Sequence, residues 1–343
     1  MSIHSLYYVG LDVHKKSISF CVKDERGHIH QEGKMASTRA QLDGWIRQIE
    51  GPWMGAREAT LFTEWIYDHL REHAVELQVA HPARLKALIA GKKKNDRIDA
   101  RILADLLRCN LLPTVHMLPP RLRELRRMLR YRNLLVSQTT RLKNKISGLL
   151  MQTGVEYNKS RLHGQRYFQQ LVGSLEEVPD SVVGLLRMSR NSLDFLKALE
   201  RKLLRTLLED EPLHQRVELL RSIPAVGVIV ALTWALEIGE VSRFRTISQA
   251  LSYCGLTSRQ NESAGVKKRG PLSRQRNKHL QTVLVEAAKL APRYHPELER
   301  VHHRERQKGN HNRATLAVAR KLVAYLMAVD RRQEPFRMEG LAA

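Results

Sequence analysis

The stretch Lys92-Lys93-Lys94-Asn95-Asp96-Arg97-Ile98-Asp99-Ala100 joins a run of three lysines to two aspartates three residues apart. The pattern predicts a helix that begins near Asp96, with Asp96 and Asp99 on the same side of its first turn. Two carboxylates this close repel each other unless a positive charge lies between them, and a divalent metal ion can supply it. Downstream, apolar residues return at the spacing of one helix face: Ile98, Ile102, Leu103, Leu106 and Leu107.

A second interpretation of this stretch needs no metal. Asp96 belongs to the residue types favoured at an N-cap, and Asp99 would be stabilised in the first turn by the helix dipole. Taken alone, the stretch favours the capping role. The metal-binding hypothesis gains weight only if other carboxylates reach the same point.

Asp12 is the first such carboxylate. It lies inside the apolar segment Tyr7–Val13, which predicts a buried strand, and the alternating segment Ser17–Val22 predicts a second strand. An ionised carboxylate in an apolar strand is unfavourable unless it is paired or binds a metal. Lys15 or Lys16 could supply the pairing, so both interpretations stay open here.

The next hundred residues predict an α/β arrangement in which strands and helices alternate. Glu58 ends one predicted strand, and Glu64 lies within the helix pattern that follows. The further predicted elements are a strand over 28–33 that completes an antiparallel meander, a helix over 37–48, a strand over 53–59, a helix over 62–73 and a strand over 75–80.

This layout resembles that of RuvC-like nucleases of the RNase H fold, and its details resemble DEDD-type transposases of bacterial insertion sequences, the IS110 family. The resemblance implies that Asp12, Glu58, Asp96 and Asp99 are catalytic acids that hold Mg²⁺, as two ions, with Glu64 as the alternative to Glu58. The motifs that carry it are Gly10-Leu11-Asp12-Val13-His14, Glu58-Ala59-Thr60, His81-Pro82 and Lys94-Asn95-Asp96-Arg97-Ile98-Asp99-Ala100.

Composition points to a polyanionic partner. The 343 residues include 58 Lys and Arg against 35 Asp and Glu, a formal net charge of +23. Nucleic acid is the first expectation for such an excess. A membrane surface is the rival, but we find no long apolar run and no signal peptide. Cys21, Cys109 and Cys254 show no zinc-ligand spacing, so we expect a reducing, cytoplasmic setting, with the protein nucleoid-associated when it acts.

The middle of the chain predicts two long helices, over Arg121–Leu150 and Asp180–Leu208, separated by a loop over Gly154–Gly173. Their apolar residues recur at roughly heptad spacing, which is typical of a coiled coil within one chain or between chains. The first helix has Glu124 as its only acid, so we expect its cations to contact phosphate rather than one another. These cations are Arg123, Arg126, Arg127, Arg130, Arg132, Arg141, Lys143 and Lys145.

The C-terminal part predicts a helix-hairpin-helix pattern over Leu219–Ala231 and then a polar, basic loop over Thr257–Gly270. The hairpin could present backbone N–H groups to a phosphate, or it could be an ordinary helical hairpin in which Gly227 permits close packing. Within the loop, Ser263 is followed by the basic residues Lys267, Lys268 and Arg269. Taken alone, Ser263 is a loop serine with no histidine base nearby.

The resemblance to the same transposase family resumes over this part of the chain. It implies that Ser263 attacks DNA and becomes covalently joined to it, with Ser273 as the alternative nucleophile or a helix N-cap. Three positions depart from the family pattern: Ala225 and Arg276 replace glycine, and Ser258 replaces proline. The supporting motifs are Ile223-Pro224-Ala225-Val226-Gly227, Tyr253-Cys254-Gly255-Leu256, Ser263-Ala264-Gly265, Gly270-Pro271-Leu272-Ser273, Asn277-Lys278-His279-Leu280 and Arg320-Lys321-Leu322.

We therefore predict an α/β RuvC-like domain over 1–118, a helical coiled-coil segment over 119–212 and a mostly α domain over 213–335. The predicted function is a transposase that recombines DNA through a metal-assisted serine–DNA intermediate. By resemblance, its partners are DNA, a structured non-coding RNA and further copies of the chain, as a dimer or a tetramer. Nucleic-acid contacts are predicted at Lys92, Lys93, Lys94, Arg126, Arg127, Arg130, Lys267, Lys268 and Arg269.

Two rival functions follow from the same sequence. A RuvC-like structure-selective nuclease needs the four acids and no serine. A non-catalytic nucleic-acid-binding scaffold needs neither, because its acids would be caps and surface charges.

Overall fold

The computed structural model divides the chain into two compact units, Met1–Pro120 and Arg121–Ala343. It describes residues 6–60, 64–89, 95–263 and 266–337, with their side chains apart from those of 261–269. The three-domain division stays a prediction, and its boundary at residue 212 falls inside the second unit.

The first unit is built on a five-stranded sheet in the order β3-β2-β1-β4-β5. The first three strands form an antiparallel meander, whereas β4 and β5 run parallel to β1. These five strands and the α/β character confirm the sequence prediction. The elements are β1 Tyr7–Val13, β2 Ser17–Lys23, β3 Ile29–Ala36, α1 Arg39–Ile46, β4 Trp53–Glu58, α2 Glu64–Arg71, β5 Glu76–Ala80, α3 Pro82–Leu88 and α4 Asp96–Arg108.

One short helix in this unit was not predicted. The strand predicted over 75–80 is followed directly by α3, which has His81 as its N-cap and begins at Pro82. The imidazole of His81 accepts a hydrogen bond from the backbone N–H of Arg84, and Pro82 occupies the first helical position. Proline is suited to that position because its N–H would have no partner within the helix.

Successive residues of β1 face opposite sides of the sheet, and each side is covered by different helices. Val9, Leu11 and Val13 pack with the buried residues of α1 and α2 on one face of the sheet. Gly10 lies on the other face, where α4 crosses the strand so closely that a Cβ on Gly10 would stand 1.9 Å from the Ala100 carbonyl oxygen. Glycine therefore permits the approach of α4.

The second unit is mostly helical, as predicted. Two of its helices, α5 and α7, match the two long predicted helices. Its elements are α5 Pro120–Gln152, α6 Gln165–Gly173, α7 Asp180–Leu208, α8 Glu211–Arg221, α9 Val228–Ile238, α10 Ile247–Tyr253, β6 Ser258–Ser263, β7 Val266–Leu272, α11 Lys278–Leu290, α12 Pro296–Gln307 and α13 His311–Arg332.

Two predicted loops in this unit are wrong. The segment Gly154–Gly173 contains α6, whose buried Phe168 and Val172 pack in a cluster with residues of α5 and α7. The segment Thr257–Gly270 contains most of an antiparallel β6–β7 pair. That pair is formed by main-chain hydrogen bonds, so its polar sequence lacks the apolar alternation from which strands are predicted.

The helices α5 and α7 pack against each other within the chain through α6. Leu149 on α5 and Leu193 on α7 belong to the same buried cluster. Not all apolar residues of α7 are buried, because Leu185, Met188 and Phe195 are exposed. In the described part of the chain, no helix combines the length and the apolar character needed to cross a membrane.

The core of the second unit surrounds α9, whose residues from Ala231 to Ile238 are all buried. Its Trp234 indole N–H donates to the buried Asp330 carboxylate at 2.9 Å, and Arg216 from α8 donates to the same carboxylate at 2.6 Å. A helix that is buried on all sides needs partners on all sides. The helices α8 and α11 pack against α9, and α13 contributes the Asp330 carboxylate.

The segment between α8 and α9 forms a turn between two helices, as the helix-hairpin-helix pattern predicted, but Gly227 is not the residue that the turn constrains. Gly227 does not serve close packing, because a Cβ there would meet nothing within 4 Å. The constrained residue is Ala225, whose φ of 66° lies in the left-handed region that glycine adopts most readily.

Candidate metal and nucleic-acid site

The strand register brings two of the predicted acids to one edge of the sheet. Leu11 of β1 lies opposite Arg57 of β4, so Asp12 and Glu58 follow at matching positions of two adjacent parallel strands. Asp12 is on the same face as Gly10, because residues two apart in a strand share a face. This face is the one covered by α4, whose first turn carries Asp96 and Asp99.

Asp12 and Asp96 meet across the imidazole of His14. The His14 Nε2 atom lies 3.2 Å from Asp12 Oδ2 and 3.3 Å from Asp96 Oδ1. One ligand atom from each of these three side chains lies within 4.8 Å of the others. The Nζ of Lys34 lies 3.4 Å from the second Asp96 oxygen. An imidazole therefore stands between the two carboxylates, and the Lys34 ammonium stands beside them.

The pKa values of Asp12 and Asp96 are shifted in opposite directions. Burial raises the pKa of Asp12, and the negative charges of Asp99 and Asp96 raise it further, while His14 lowers it. For Asp96, burial acts to raise the pKa, but the Lys34 hydrogen bond and the charges of His14 and Lys34 outweigh it, so the pKa is lowered. A third acid, Asp99, lies in the first turn of α4 together with Asp96.

The donor set fits a divalent cation. Carboxylate oxygens are the ligands that hard cations such as Mg²⁺ prefer, and those of Asp12 and Asp96 converge here beside the His14 nitrogen. Asp12, Asp96 and His14 could hold such an ion directly, and Asp99 lies in the same first turn of α4 as Asp96. The structural support for Glu58 as a further metal-binding acid is its strand register, which places it beside Asp12.

The capping interpretation of Asp96 is wrong. Asn95 is the N-cap of α4, and its side-chain oxygen accepts a hydrogen bond from the Arg97 N–H at 3.1 Å. Asp96 is the first residue inside the helix. The cap requirement is therefore met by another residue, and the Asp96 carboxylate is directed to His14 and Lys34 instead.

Three contacts fasten α4 to the sheet and so fix its acids. Arg101 donates two hydrogen bonds of 2.7 Å to Glu32 of β3, and Arg97 also pairs with Glu32. These interactions, led by the Arg101 hydrogen bonds, lower the pKa of Glu32 to about 2. Nearer the end of α4, the Lys23 ammonium donates to Asp105 at 2.6 Å. The bidentate Arg101–Glu32 pair fixes the orientation of α4 as well as its distance from the sheet.

Sequence reasoning missed His14 and Lys34 as members of the site. The signal for His14 was present, because Gly10, Asp12 and His14 are spaced two residues apart and are therefore expected on one side of the extended chain, with His14 directly after β1. Lys34 could not be found without the sheet register. It lies opposite Ser19 of β2, which in turn lies opposite Asp12.

Ser263 is the last residue of β6 and pairs with Val266, the first residue of β7. The basic residues Lys267, Lys268 and Arg269 follow along β7. Their side chains and that of Ser263 lie outside the described set, as do the predicted contacts Lys92, Lys93 and Lys94. Their roles remain predictions.

The alternative serine has a different local role from the one predicted. Ser273 does not cap a helix. Its hydroxyl accepts from the Gln275 N–H at 3.2 Å within a turn, and Asn277 caps α11 instead by accepting from the N–H groups of His279 and Leu280. Ser273 also closes the base of the strand pair, where its N–H donates to the Thr257 carbonyl at 3.1 Å.

A buried acid, Glu237, lies near this end of the β6–β7 strand pair. Glu237 on α9 is 1% exposed and accepts two hydrogen bonds of 2.8 Å from Arg130 of α5. It also accepts one of 2.8 Å from Asn277. Burial acts to raise the pKa of Glu237, but the Arg130 hydrogen bonds and charge outweigh it and lower the pKa. Arg130, predicted to contact phosphate, is therefore engaged in a structural ion pair.

The predicted basic face of α5 needs correction at two further positions. Arg123 is buried, and Arg132 pairs with Glu200 of α7. Counting acids within the helix could not reveal the pairs of Arg130 and Arg132, because both partners come from other elements. Arg126 and Arg127 remain predicted nucleic-acid contacts.

Two family models match the chain. A model described as a transposase, of the DEDD type of IS110, matches residues 9–155. A second, described as the transposase IS116/IS110/IS902 family, matches residues 217–303. The two matches include the described site acids and the β6–β7 pair, respectively.

Individual proteins are similar over most of their length. A probable family 20 transposase of Pseudomonas aeruginosa is 26% identical over 294 residues, which cover 84% of this chain and 85% of that protein. The transposase for insertion sequence element IS1111A of Coxiella burnetii is 24% identical, covering 98% and 93%. The transposase for insertion sequence element IS1328 of Yersinia enterocolitica is 23% identical, covering 82% and 83%.

Proposed function

We propose, on the premise that this chain belongs to the IS116/IS110/IS902 family of insertion-sequence transposases, that it cuts and rejoins DNA through a metal-assisted covalent serine intermediate. The observation that carries the proposal is the meeting of Asp12 and Asp96 at one point, on opposing elements, with the His14 imidazole between them. Carboxylates that served only as helix caps or surface charges would not need to converge in this way.

The fold proposed for the first unit is RNase H-like, of the RuvC type. The strand order β3-β2-β1-β4-β5, with an antiparallel meander followed by parallel strands, supports it. So does the position of Asp12 and Glu58 at the carboxyl ends of adjacent parallel strands, where sites of α/β sheets commonly lie.

The acids of the proposed site would be Asp12, Glu58, Asp96 and Asp99. Two Mg²⁺ ions held there would polarise the phosphoryl group and lower the pKa of the attacking hydroxyl. The contribution of the protein is to hold the carboxylates in place before DNA arrives. Gly10 admits α4, and Glu32 fixes its first turns through Arg97 and Arg101.

The nucleophile in this proposal is Ser263. Its Oγ forms a bond to phosphorus, the bond from phosphorus to one DNA oxygen breaks, and the serine proton ends on solvent or on the departing DNA hydroxyl. Strand exchange reverses the step onto a second DNA hydroxyl. Lys267, Lys268 and Arg269 would bind neighbouring phosphates, because β7 carries them beside the strand that ends at Ser263.

The partners in this proposal are DNA, a structured RNA and a second copy of the chain. The formal net charge of +23 favours binding to both nucleic acids. The exposed residues Leu185, Met188 and Phe195 recur at helical spacing on one face of α7, which supports contact between two copies. Base pairing with the RNA would then choose the DNA sequence.

The test is a covalent-adduct assay with the full-length protein, its co-purifying RNA, end-junction DNA and Mg²⁺. An SDS-stable protein–DNA adduct is expected for the wild type and for Ser273→Ala, but not for Ser263→Ala or Asp96→Asn. Asp24→Asn is the matched acid control, since Asp24 only fixes a turn between strands. Cleavage that persists in Ser263→Ala would overturn the serine mechanism in favour of a nuclease.

Mixing the two inactive variants then tests the oligomeric proposal. If one protomer supplies the acids and another supplies the serine, Ser263→Ala mixed with Asp96→Asn should recover part of the adduct. Separate inactive variants that stay inactive when mixed would indicate that each site forms within one chain.

A further inference from the structure

His14 occupies a position that a hydrogen bond alone explains poorly. It follows β1 directly, and its backbone N–H donates to the Ser17 carbonyl at 2.9 Å, which fixes the turn into β2. Its Nε2 faces two carboxylate oxygens at 3.2 and 3.3 Å. A single N–H is directed along one line and cannot point at both oxygens, and the two distances lie at and just beyond the long end of the usual N–H···O range.

The same distances suit neighbouring ligands of one metal ion. In an octahedral site with ligand distances of about 2.1 Å, adjacent ligand atoms stand about 3.0 Å apart and opposite ones about 4.2 Å. The His14 Nε2 atom, at 3.2 and 3.3 Å from the Asp12 and Asp96 oxygens, stands close to the separation of adjacent ligands. The two carboxylate oxygens lie within 4.8 Å of each other, so the three atoms would enter one coordination sphere if the two acids closed slightly about an ion.

We propose that His14 is a metal ligand, which gives one of the two cation positions a nitrogen donor beside the oxygens of Asp12 and Asp96. An imidazole nitrogen favours transition metals over Mg²⁺, whereas carboxylates alone suit Mg²⁺ well. This position should therefore prefer a cation such as Mn²⁺ to Mg²⁺. The proposal rests on the proposed metal-dependent function and adds a residue to its site.

Two features of His14 make the ligand role accessible. Its side chain is 52% exposed, so an ion can reach it without any rearrangement of the core. Its backbone is held by the Ser17 hydrogen bond, so the ring is presented from a fixed turn. Lys34 approaches the Oδ2 atom of Asp96 at 3.4 Å, whereas His14 faces Oδ1, so the ammonium and an ion beside His14 would contact different oxygens.

The test measures metal binding directly on the full-length protein after chelator treatment. Mn²⁺ is titrated and bound ions are counted by EPR, and pulsed EPR then detects magnetic coupling between bound Mn²⁺ and a histidine nitrogen. We expect that coupling in the wild type and its loss in His14→Ala. His28→Ala is the matched control, because His28 pairs with the single carboxylate of Asp24 at 3.1 Å.

Affinity gives a second readout. Loss of the nitrogen ligand should weaken Mn²⁺ binding by about tenfold or more, on the scale at which even outer-shell changes act. Mg²⁺ binding, measured by competition, should weaken less, so the Mn²⁺ to Mg²⁺ preference should fall. Circular dichroism and thermal unfolding verify that His14→Ala is folded.

The outcomes separate this inference from the function on which it rests. Bound Mn²⁺ that is lost in Asp96→Asn but shows no nitrogen coupling overturns the role of His14 and leaves the metal site standing. Coupling that persists in His14→Ala also overturns it. Absence of Mn²⁺ binding, or binding indifferent to Asp96→Asn, overturns both the inference and the metal-assisted function.

Discussion

Gly10 in β1 and Ala100 in α4 approach so closely that a Cβ on Gly10 would stand 1.9 Å from the Ala100 carbonyl oxygen and 2.6 Å from the Ala104 nitrogen. Both neighbours are helix backbone, which cannot rotate away as a side chain can. The acids Asp12 and Asp96 sit just beyond this contact, so it sets the distance between them.

We therefore expect Gly10→Ala to push α4 away from the sheet. Overpacking of this kind costs about 1–3 kcal/mol, and more where only backbone can move. Chemical unfolding measures the loss, and metal titration should show weaker binding. Gly44→Ala is the matched control, because a Cβ there meets nothing within 4 Å in α1. It should stabilise the protein by about 0.5–1 kcal/mol. A neutral Gly10→Ala would contradict the close contact.

The turn before α9 predicts a stabilising substitution. Ala225 has a φ of 66°, a conformation that costs a non-glycine residue about 1–2 kcal/mol. Ala225→Gly removes that strain but loosens the unfolded chain, so a net gain of about 0.5–1 kcal/mol is expected. Thermal unfolding would detect it as a higher Tm. Gly227→Ser, at the open N-cap two residues later, should be close to neutral; a lower Tm for Ala225→Gly would refute the assignment.

The Arg130–Glu237 pair predicts that Arg130 matters for stability rather than for DNA contact. Arg130→Met leaves Glu237 buried without its charge partner, which typically costs about 3–5 kcal/mol. Arg141→Met, at an exposed position of the same helix, should change stability by less than about 0.5 kcal/mol. Combining Arg130→Met with Glu237→Gln should recover part of the loss, because the unpaired charge is removed.

If Arg130 is instead a phosphate contact, unfolding of Arg130→Met would match the wild type. DNA binding would then fall, with a shallower dependence on salt.

Glu32 predicts a pH-dependent stabilisation of the first unit. Its pKa in the folded state is lowered to about 2, chiefly by the Arg101 hydrogen bonds. A lowered pKa means that the stabilisation is fully present above the unfolded-state pKa near 4.5 and is lost as pH falls toward 2. Glu32→Gln should therefore lower the Tm at pH 7, and the difference from wild type should shrink between about pH 5 and pH 3.

Thermal unfolding of both proteins over that pH range checks the sign. Glu50→Gln serves as a control for general loss of an acid. A difference that grows as the pH falls would contradict the assigned pairing of Glu32 with Arg97 and Arg101.

Much of this architecture was readable from local pattern. The buried strand around Asp12 and the helix that follows Asp96 were both predicted, because burial and helix periodicity leave a direct trace in the order of residues. The acids themselves were found through the family motifs. Elements without such a trace were missed: β6 and β7 carry a polar sequence, and α6 was hidden in a segment that contains polar residues and glycine.

The sequence by itself determined the five strands of the first unit, the two long helices α5 and α7, the excess of positive charge and the motifs that identify the family. Only the tertiary structure decided which residues meet. His14 and Lys34 join the acids, Asn95 rather than Asp96 caps α4, and Arg130 pairs with Glu237 107 positions along the chain. The reason is physical: periodicity reports which face of an element is buried, whereas a charge pair between elements depends on the register and crossing of both.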